Sequence, residues 1–538
     1  MRLVPTEKST AKPQPLLLLC GTTLLVTLAA CSVGPKVIPL VPQDGGVAPV
    51  AAFSPPEMTA AEIAADATAR TASITEAAVE VDLWWKQFHD PVLDALIVKA
   101  DLLNSSIAES LSRIRMKQAS LGVSESELWP TISGGAGYAR VQQNFSQLGA
   151  LGVDIEPYDS WSYGLNMPSW EIDLWGRIAK TIEASTADLE ASVDDLRGAM
   201  VSVRAQVATS YIQVRTLQSR LDALNATIAN LTQTLSLTQQ KFDAGTTTML
   251  SVSQAGTNLD LKSAQVPSLR DSLAKTIGQL AVLCGTSTTE VTAILGSAAP
   301  IPIGPASVSV GIPASLLARR PDLRSAEMSY ESAVAQIGAA EAMNYPALSL
   351  NGSFSISATE FSGLGDISNK AYSFGPSLSL PLFTGWRISA EIVGAKARAE
   401  LAFNAWRGTL IRAISEVDSS IAAVAFAREA DTRYQKAVTS AKDTTRLATM
   451  QYQAGTTTLE NLLDVQNNLL GAQDSQAQAQ GLAAQSIVEL YKSLGGGWSD
   501  VVPTRDNKKT DAKDAIASSP AHAASLSPIA KAALESKE

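Results

Sequence analysis

The sequence predicts a membrane protein of mixed α and β structure, with two internal repeats that each carry two short strands and a pair of very long helices. Three observations predict it. Landmark motifs recur at a nearly constant spacing, 216 residues for the first pair and 210 for the last. Three segments alternate strictly between oily and small polar residues. Two stretches, 177–242 and 387–452, each run 66 residues without a proline.

The chain divides by composition. Residues 1–30 read as a secretory signal, with Arg2, Lys8 and Lys12 before the short apolar run "PLLLLCGTTLLVTLAA". The run ends in "LAAC" at 28–31, which resembles a bacterial lipoprotein cleavage site with Cys31 as the lipidated first residue. Ser32 follows it where an Asp would mark retention at the inner membrane, so the resemblance implies an outer-membrane destination. Residues 31–82 are rich in Pro, Ala and Thr and read as a lipidated tether and arm. Residues 83–300 and 301–498 are the first and second repeats, and 499–538 is a polar, alanine-rich tail expected to be disordered. Apart from Cys20 in the signal and Cys31, only Cys284 remains, which excludes an intrachain disulfide. In "LAVLCG" it reads as a small core residue. Net charge is −10, and −12 once residues 1–30, with three bases and one acid, are removed. No basic stripe exists to neutralise phosphates, which argues against nucleic acid as a partner. No later apolar run reaches the roughly 20 residues a spanning helix needs, so any membrane insertion uses strands.

The strands carry the clearest pattern. Over 347–358 Leu348, Leu350, Phe354 and Ile356 alternate with Ser349, Asn351, Ser353, Ser355 and Ser357. Over 372–383 Tyr372, Phe374, Leu378, Leu380 and Leu382 alternate with Ser373, Gly375, Ser377 and Ser379. Trp161, Tyr163, Leu165 and Met167 alternate with Ser162, Gly164 and Asn166, and a weaker, glycine-rich strand lies near 132–138. Alternation gives one oily and one polar face. Ser, Asn and Gly replace the Lys and Glu of a solvated sheet, which fits an outer-membrane strand with oily residues out and a water-filled interior.

At about 1.5 Å per residue, each proline-free stretch makes a helix on the order of 100 Å long. The first ends in Val214, Leu217, Leu221, Leu224, Ile228, Leu231 and Leu235, alternating steps of three and four that predict a coiled-coil seam. The second has Ile414, Val417, Ile421 and Val424, then Ala, Ser and Thr that permit close helix approach. Each must reverse, and "AGTTT" occurs at both reversals, with Gly245 and Thr246 in the first and Gly455 and Thr456 in the second. Glycine tolerates the left-handed helix stop, and the threonines offer N-cap hydroxyls to the returns at 248–285 and 458–494. Four strands cannot close a barrel, since about eight is the minimum, and open edges are not tolerated in lipid. The chain therefore has to share its barrel with other copies.

This order of elements resembles the TolC-like outer membrane factors, in the lipoprotein branch serving resistance–nodulation–division efflux systems. The resemblance spans residues 83–498. It is carried by "GIPASLLARRPDLRSAE" (311–327), "AQIGAAEAMNYPALSL" (335–350), "WEIDLWGR" (170–177) and "LPLFTGWR" (380–387). It implies a homotrimer with a twelve-stranded barrel, a long periplasmic helical coiled-coil barrel and an equatorial belt. It also implies outer-membrane lipid, a periplasmic adaptor protein and an inner-membrane resistance–nodulation–division transporter as partners. The turns at Gly245, Thr246, Gly455 and Thr456 would meet the adaptor. Asp464 matches an acidic position that rings the narrow entrance, while Asn461 departs from a second such position. Pro321 suits the first residue of a helix and Asp322 its positive end. Arg319, Arg320 and Arg324 read as a solvated face or structural ion pairs rather than substrate ligands.

No Cys/His cluster has metal-ligand spacing, with only His89 and His522 in the chain. The Ser-x-x-Lys of "SLAK" at 272–275 lacks its companion motifs. No enzyme and no cofactor are expected, apart from covalent lipid on Cys31. The expected function is an exit duct for small molecules from a pump. An exit duct for type I protein secretion on the same fold and a structural, envelope-spanning lipoprotein are the alternatives.

Overall fold

The computed structural model describes residue 35 and residues 81–142, 157–305 and 319–498. The signal, Cys31, nearly all of the arm, and the tail at 499–538 lie outside the described residues. Described residues fall into two compact units, one of 116–189 with 328–404 and one of 81–115, 190–327 and 405–498.

The first unit holds the strands: β1 (Ser133–Val141), β2 (Tyr158–Ile172), β3 (Ala347–Ala358) and β4 (Lys370–Ser379). They form one antiparallel sheet in the order β1-β2-β3-β4. Register sets Tyr138 opposite Trp161, Leu165 opposite Phe354, and Phe354 opposite Tyr372. The expected oily face therefore runs across the sheet and ends in charge at one end of the strands, where Arg140 pairs with Asp159 at 3.4 Å and Lys370 lies opposite Ile356. The opposite face aligns Gly135 with Gly164, Asn166 with Ser353, and Ser353 with Ser373. A bulge between Met167 and Trp170 absorbs the odd count and keeps Trp170 level with Leu350. β4 stops at Ser379, four residues short of the 383 expected from alternation. Pro381 has no N–H to donate and ends the ladder there. Between β3 and β4, two short 3₁₀ turns (Phe361–Gly365 and Ile367–Asn369) fold back, with Phe361 edge-on to Trp161 at 5.2 Å.

Helices complete the chain: α1 (Pro91–Leu103), α2 (Ser105–Ser126), α3 (Arg177–Asp243), α4 (Met249–Ser263), α5 (Gln265–Leu283), α6 (Thr288–Leu295), α7 (Pro321–Ala342), α8 (Arg387–Ala454) and α9 (Leu459–Ser493). The long helices α3 and α8 hold 67 and 68 residues, as the absence of proline predicts. The return at 248–285 was expected as one helix, but it breaks at Ala264 into α4 and α5. Pro267 accounts for the break, because its missing N–H suits only a first helical turn. The α3 seam is partly displaced. Val214, Leu217, Leu224 and Leu231 are buried, whereas Leu221, Ile228 and Leu235 are half-buried. Thr227, Thr234 and Thr238 fill the buried stripe instead. Each threonine returns its hydroxyl to the carbonyl four residues back, at 2.8–3.0 Å, so it packs as a small apolar residue.

Candidate functional site

Both "AGTTT" reversals lie in the second unit and are built alike. Gly245 has φ 73° and Gly455 φ 75°. Gly245 N–H donates to the Phe242 carbonyl and Thr246 N–H to Lys241, both at 2.8 Å. Gly455 donates to Tyr452 at 3.2 Å and Thr456 to Gln451 at 2.9 Å. This paired pattern satisfies the last carbonyls of each helix. The hydroxyls of Thr246 and Thr456 donate to the same two carbonyls, of Lys241 and Gln451. The third threonine then caps the return: Thr248 accepts from Ser251 N–H and Thr458 from Asn461 N–H. The run thus divides its labour, with its first member closing one helix and its third opening the next.

Behind the turns, Ala255, Ala448, Tyr452, Leu459 and Leu462 form one core. Tyr452 joins α8 to α3: its hydroxyl meets Thr238 Oγ1 at 2.9 Å, and Lys241 Nζ lies 4.1 Å from its ring centroid while donating to its carbonyl. Asp464 is exposed on α9. Asn461 turns back and donates through Nδ2 to Thr457 Oγ1 at 3.0 Å, a contact in which an ionised acid could only accept.

A second cluster in the same unit gathers three motifs far apart in sequence. Arg320, 8 % exposed, donates to Asp322 at 2.7 Å, Glu416 at 2.8 Å and the Ser493 carbonyl at 2.8 Å. Burial works against its charge, but Asp322 and Glu416 outweigh that and hold its pKa above the ordinary value. Arg319 pairs with Asp82, and Arg324 with Asp194 at 3.3 Å. All three arginines make the expected ion pairs, whereas Arg320 is buried and lies on no solvated face. Pro321 opens α7, as expected. "GGGW" stops α9 at Gly495 (φ 71°) and delivers Trp498 beneath Arg197, 4.6 Å from its guanidinium carbon. Trp84, from "LWWKQF", stacks on Tyr491 at 5.7 Å.

Sequence reasoning missed Arg204 and Arg215. Arg204 forks onto Asp101 at 2.9 and 2.8 Å and donates to the Gly497 carbonyl at 2.6 Å. Arg215 donates to Tyr211 Oη at 3.0 Å and to the carbonyls of Leu295 and Ser297, both at 3.0 Å. Tyr211 in turn donates to Asp90, which caps α1, and burial pushes its phenol up to about 12. The only signal was an arginine set within a run of buried apolar positions. Cys284 is fully buried and donates to the Leu96 carbonyl at 3.7 Å, and burial pushes its thiol up to about 11. A thiol so far from ionising packs as a core residue and does not attack.

In the first unit, the sheet's polar face is nearly free of charge. Its one acid near the end of β2, Glu171, takes Arg177 Nε at 3.0 Å and Nη2 at 2.9 Å, and Arg177 also reaches Glu127 at 3.1 Å. A face of Ser, Gly and Asn next to an oily face can line water on one side and meet lipid on the other. Among the described residues no helix is long and apolar enough to cross a membrane.

One long oily face, one neutral polar face and two matched helical reversals define an outer-membrane channel subunit. The sequence pattern of the family Outer membrane efflux protein matches residues 96–286 and again 312–496, and the chain belongs to that family. It is 29% identical over 492 residues to the pyoverdine export outer membrane protein OpmQ of Pseudomonas putida, covering 90% of this chain and 99% of that one. It is 28% identical over 435 residues to nodulation protein T of Rhizobium leguminosarum bv. trifolii, covering 79% and 89%. The solved outer-membrane channel OprN superposes with a TM-score of 0.74 at 30% identity, covering 87% of this chain and all of that one. The fold is that of the TolC-like channels, and the protein is an outer-membrane efflux channel.

Proposed function

We propose that the chain works as a lipid-anchored homotrimer, the exit duct of a tripartite pump that passes small molecules outward. Three four-stranded sheets would close a twelve-stranded barrel in the outer membrane, with the helices in the periplasm. Cys31 would carry the lipid. The turns at Gly245, Thr246, Gly455 and Thr456 would meet a periplasmic adaptor, which couples the duct to an inner-membrane resistance–nodulation–division transporter. Asp464 would face the narrow entrance and favour cations there, since charged rings set selectivity in pores.

The observation that carries this reading is the duplication of the reversals down to single hydrogen bonds. Six near-equivalent hairpins in a trimer offer a repeating surface to a surrounding partner, which a simple tether would not need. The small-molecule branch is supported by relatives such as the pyoverdine export protein. Crosslinking in living cells, followed by pull-down of the tagged chain, tests it. An adaptor with a resistance–nodulation–division transporter is the expected catch. An ATP-driven transporter would move the reading to protein secretion, and self-association alone would favour a structural lipoprotein. Radiolabelled palmitate should enter the wild-type chain and not Cys31→Ser.

A further inference from the structure

The two repeats enter their strands through the same turn. Glu127, Leu128 and Trp129 donate their N–H groups to Ser124, Glu125 and Ser126 at 3.2, 3.1 and 3.0 Å. Met343, Asn344 and Tyr345 donate to Ala340, Glu341 and Ala342 at 3.3, 3.2 and 3.1 Å. Each turn presents an aromatic followed by a proline, Trp129–Pro130 and Tyr345–Pro346. At Tyr345 the aromatic is met. Trp175, three residues past the end of β2, stacks on Tyr345 with centroids 4.8 Å apart and planes 24° apart, and its Nε1 donates to the Pro346 carbonyl at 2.8 Å. This joint closes the place where β2 ends beside the start of β3, with Ile172 opposite Leu348.

At this turn Trp170 Nε1 donates to the Leu128 carbonyl at 3.2 Å, but among the described residues no ring stacks on Trp129, which is 73% exposed. The segment following β4 has Gly385 where the first repeat has Trp175, and on either side of it two aromatics of its own, Phe383 and Trp386, 80% and 77% exposed and edge-on to each other at 6.0 Å. Trp386 immediately precedes Arg387, as Gly176 immediately precedes Arg177. Gly176 has φ 80° and Trp386 φ 63°. The second repeat thus places a bulky residue in left-handed backbone where the first uses glycine. Such backbone is strained for any residue but glycine and persists where surrounding contacts enforce it.

We propose that Phe383 and Trp386 of one copy clasp Trp129–Pro130 of the next copy of this chain, repeating between subunits the joint that Trp175 makes with Tyr345–Pro346 within one. The occupant is a second copy because the joint already exists inside the chain and because β4 and β1 are the two edges of the sheet. Pairing β4 of one copy with β1 of the next brings the residues after β4 to those before β1, as β2 and β3 already do. The inference rests on the homotrimer proposed above and adds the contact that locks its seam.

Cysteine crosslinking in native membranes tests it with the full-length chain. The double variant Trp129→Cys/Trp386→Cys, treated with a short bifunctional thiol reagent, should yield covalent dimers and trimers on a denaturing gel, while each single variant stays monomeric. A second pair, Leu128→Cys/Leu382→Cys, keeps all three aromatics and should give the same ladder even if the first pair assembles poorly. Covalent monomers alone, from the second pair in protein that still assembles like wild type, would overturn the clasp and leave the aromatics facing lipid. A wild-type chain that is monomeric in the membrane would instead overturn the trimer itself, and the clasp with it.

Discussion

Arg215 has 1 % of its surface exposed, yet it spends its guanidinium on Tyr211, Gln218 and two carbonyls at the end of α6. Truncation would strand several buried polar groups at once, so Arg215→Ala should lower stability by about 2–4 kcal/mol, read by chemical denaturation of the solubilised protein. Only its place in a run of apolar positions marks this arginine in the sequence, since the two carbonyls it holds lie 80 and 82 residues ahead. Its neighbour Tyr211, with Tyr491 and Cys284, sets an alkaline limit. Burial raises the two phenols to about 12 and the thiol to about 11. Groups whose folded pKa is raised lend stability that is complete below the unfolded value and is lost as pH rises through the folded one. Thermal stability should therefore hold steady to about pH 9 and fall between about pH 9 and 12, with Tyr491→Phe reducing the fall. Asp464 is the opposite case, exposed and on the surface of α9. Asp464→Ala should leave melting unchanged within about 0.5 kcal/mol while lowering cation selectivity in single-channel recordings. Unchanged selectivity would remove Asp464 from the entrance.

At the scale of elements, the reversals and the close helix contacts are the sensitive points. Gly455 sits at φ 75°, so Gly455→Val should cost about 1 kcal/mol or more, and Thr458→Ala should cost about 1 kcal/mol by removing the α9 N-cap. Gly481 is held tighter: an added Cβ would lie 2.2 Å from Thr216 Oγ1. Gly481→Leu should force α9 away from α3 and lower thermal stability more than either tip variant, as overpacked cores typically lose 1–3 kcal/mol. Much of this was legible. Alternation located three strands, while the glycine-rich β1 showed it only weakly, and the glycine–threonine runs located both reversals because backbone geometry demands them. Legibility failed where one residue overrode a pattern. Pro381 ended β4 while the oily alternation ran on, and Pro267 split a return that otherwise reads as one helix. The α3 seam shifted because Thr227, Thr234 and Thr238 satisfy their own hydroxyls and can be buried, which hydrophobicity alone does not reveal. The convergence of "LWWKQF", "ARRPDLR" and "GGGW" on one cluster was visible only in three dimensions.

At the scale of the molecule, duplication explains both what is complete and what is not. One chain has a sheet with a finished oily face and two unpaired edges, and aromatic groups at both ends of that sheet that find partners only in part. In the proposed barrel, a polar face nearly free of charge would discriminate little between ions, which leaves Asp464 as the residue proposed to set selectivity. Single-channel recording of the purified protein in planar bilayers decides whether the assembled chains conduct. The account predicts discrete conductance steps from protein that elutes as a trimer, with cation preference that weakens in Asp464→Ala. Trimeric protein that inserts into the bilayer and passes no current would contradict it.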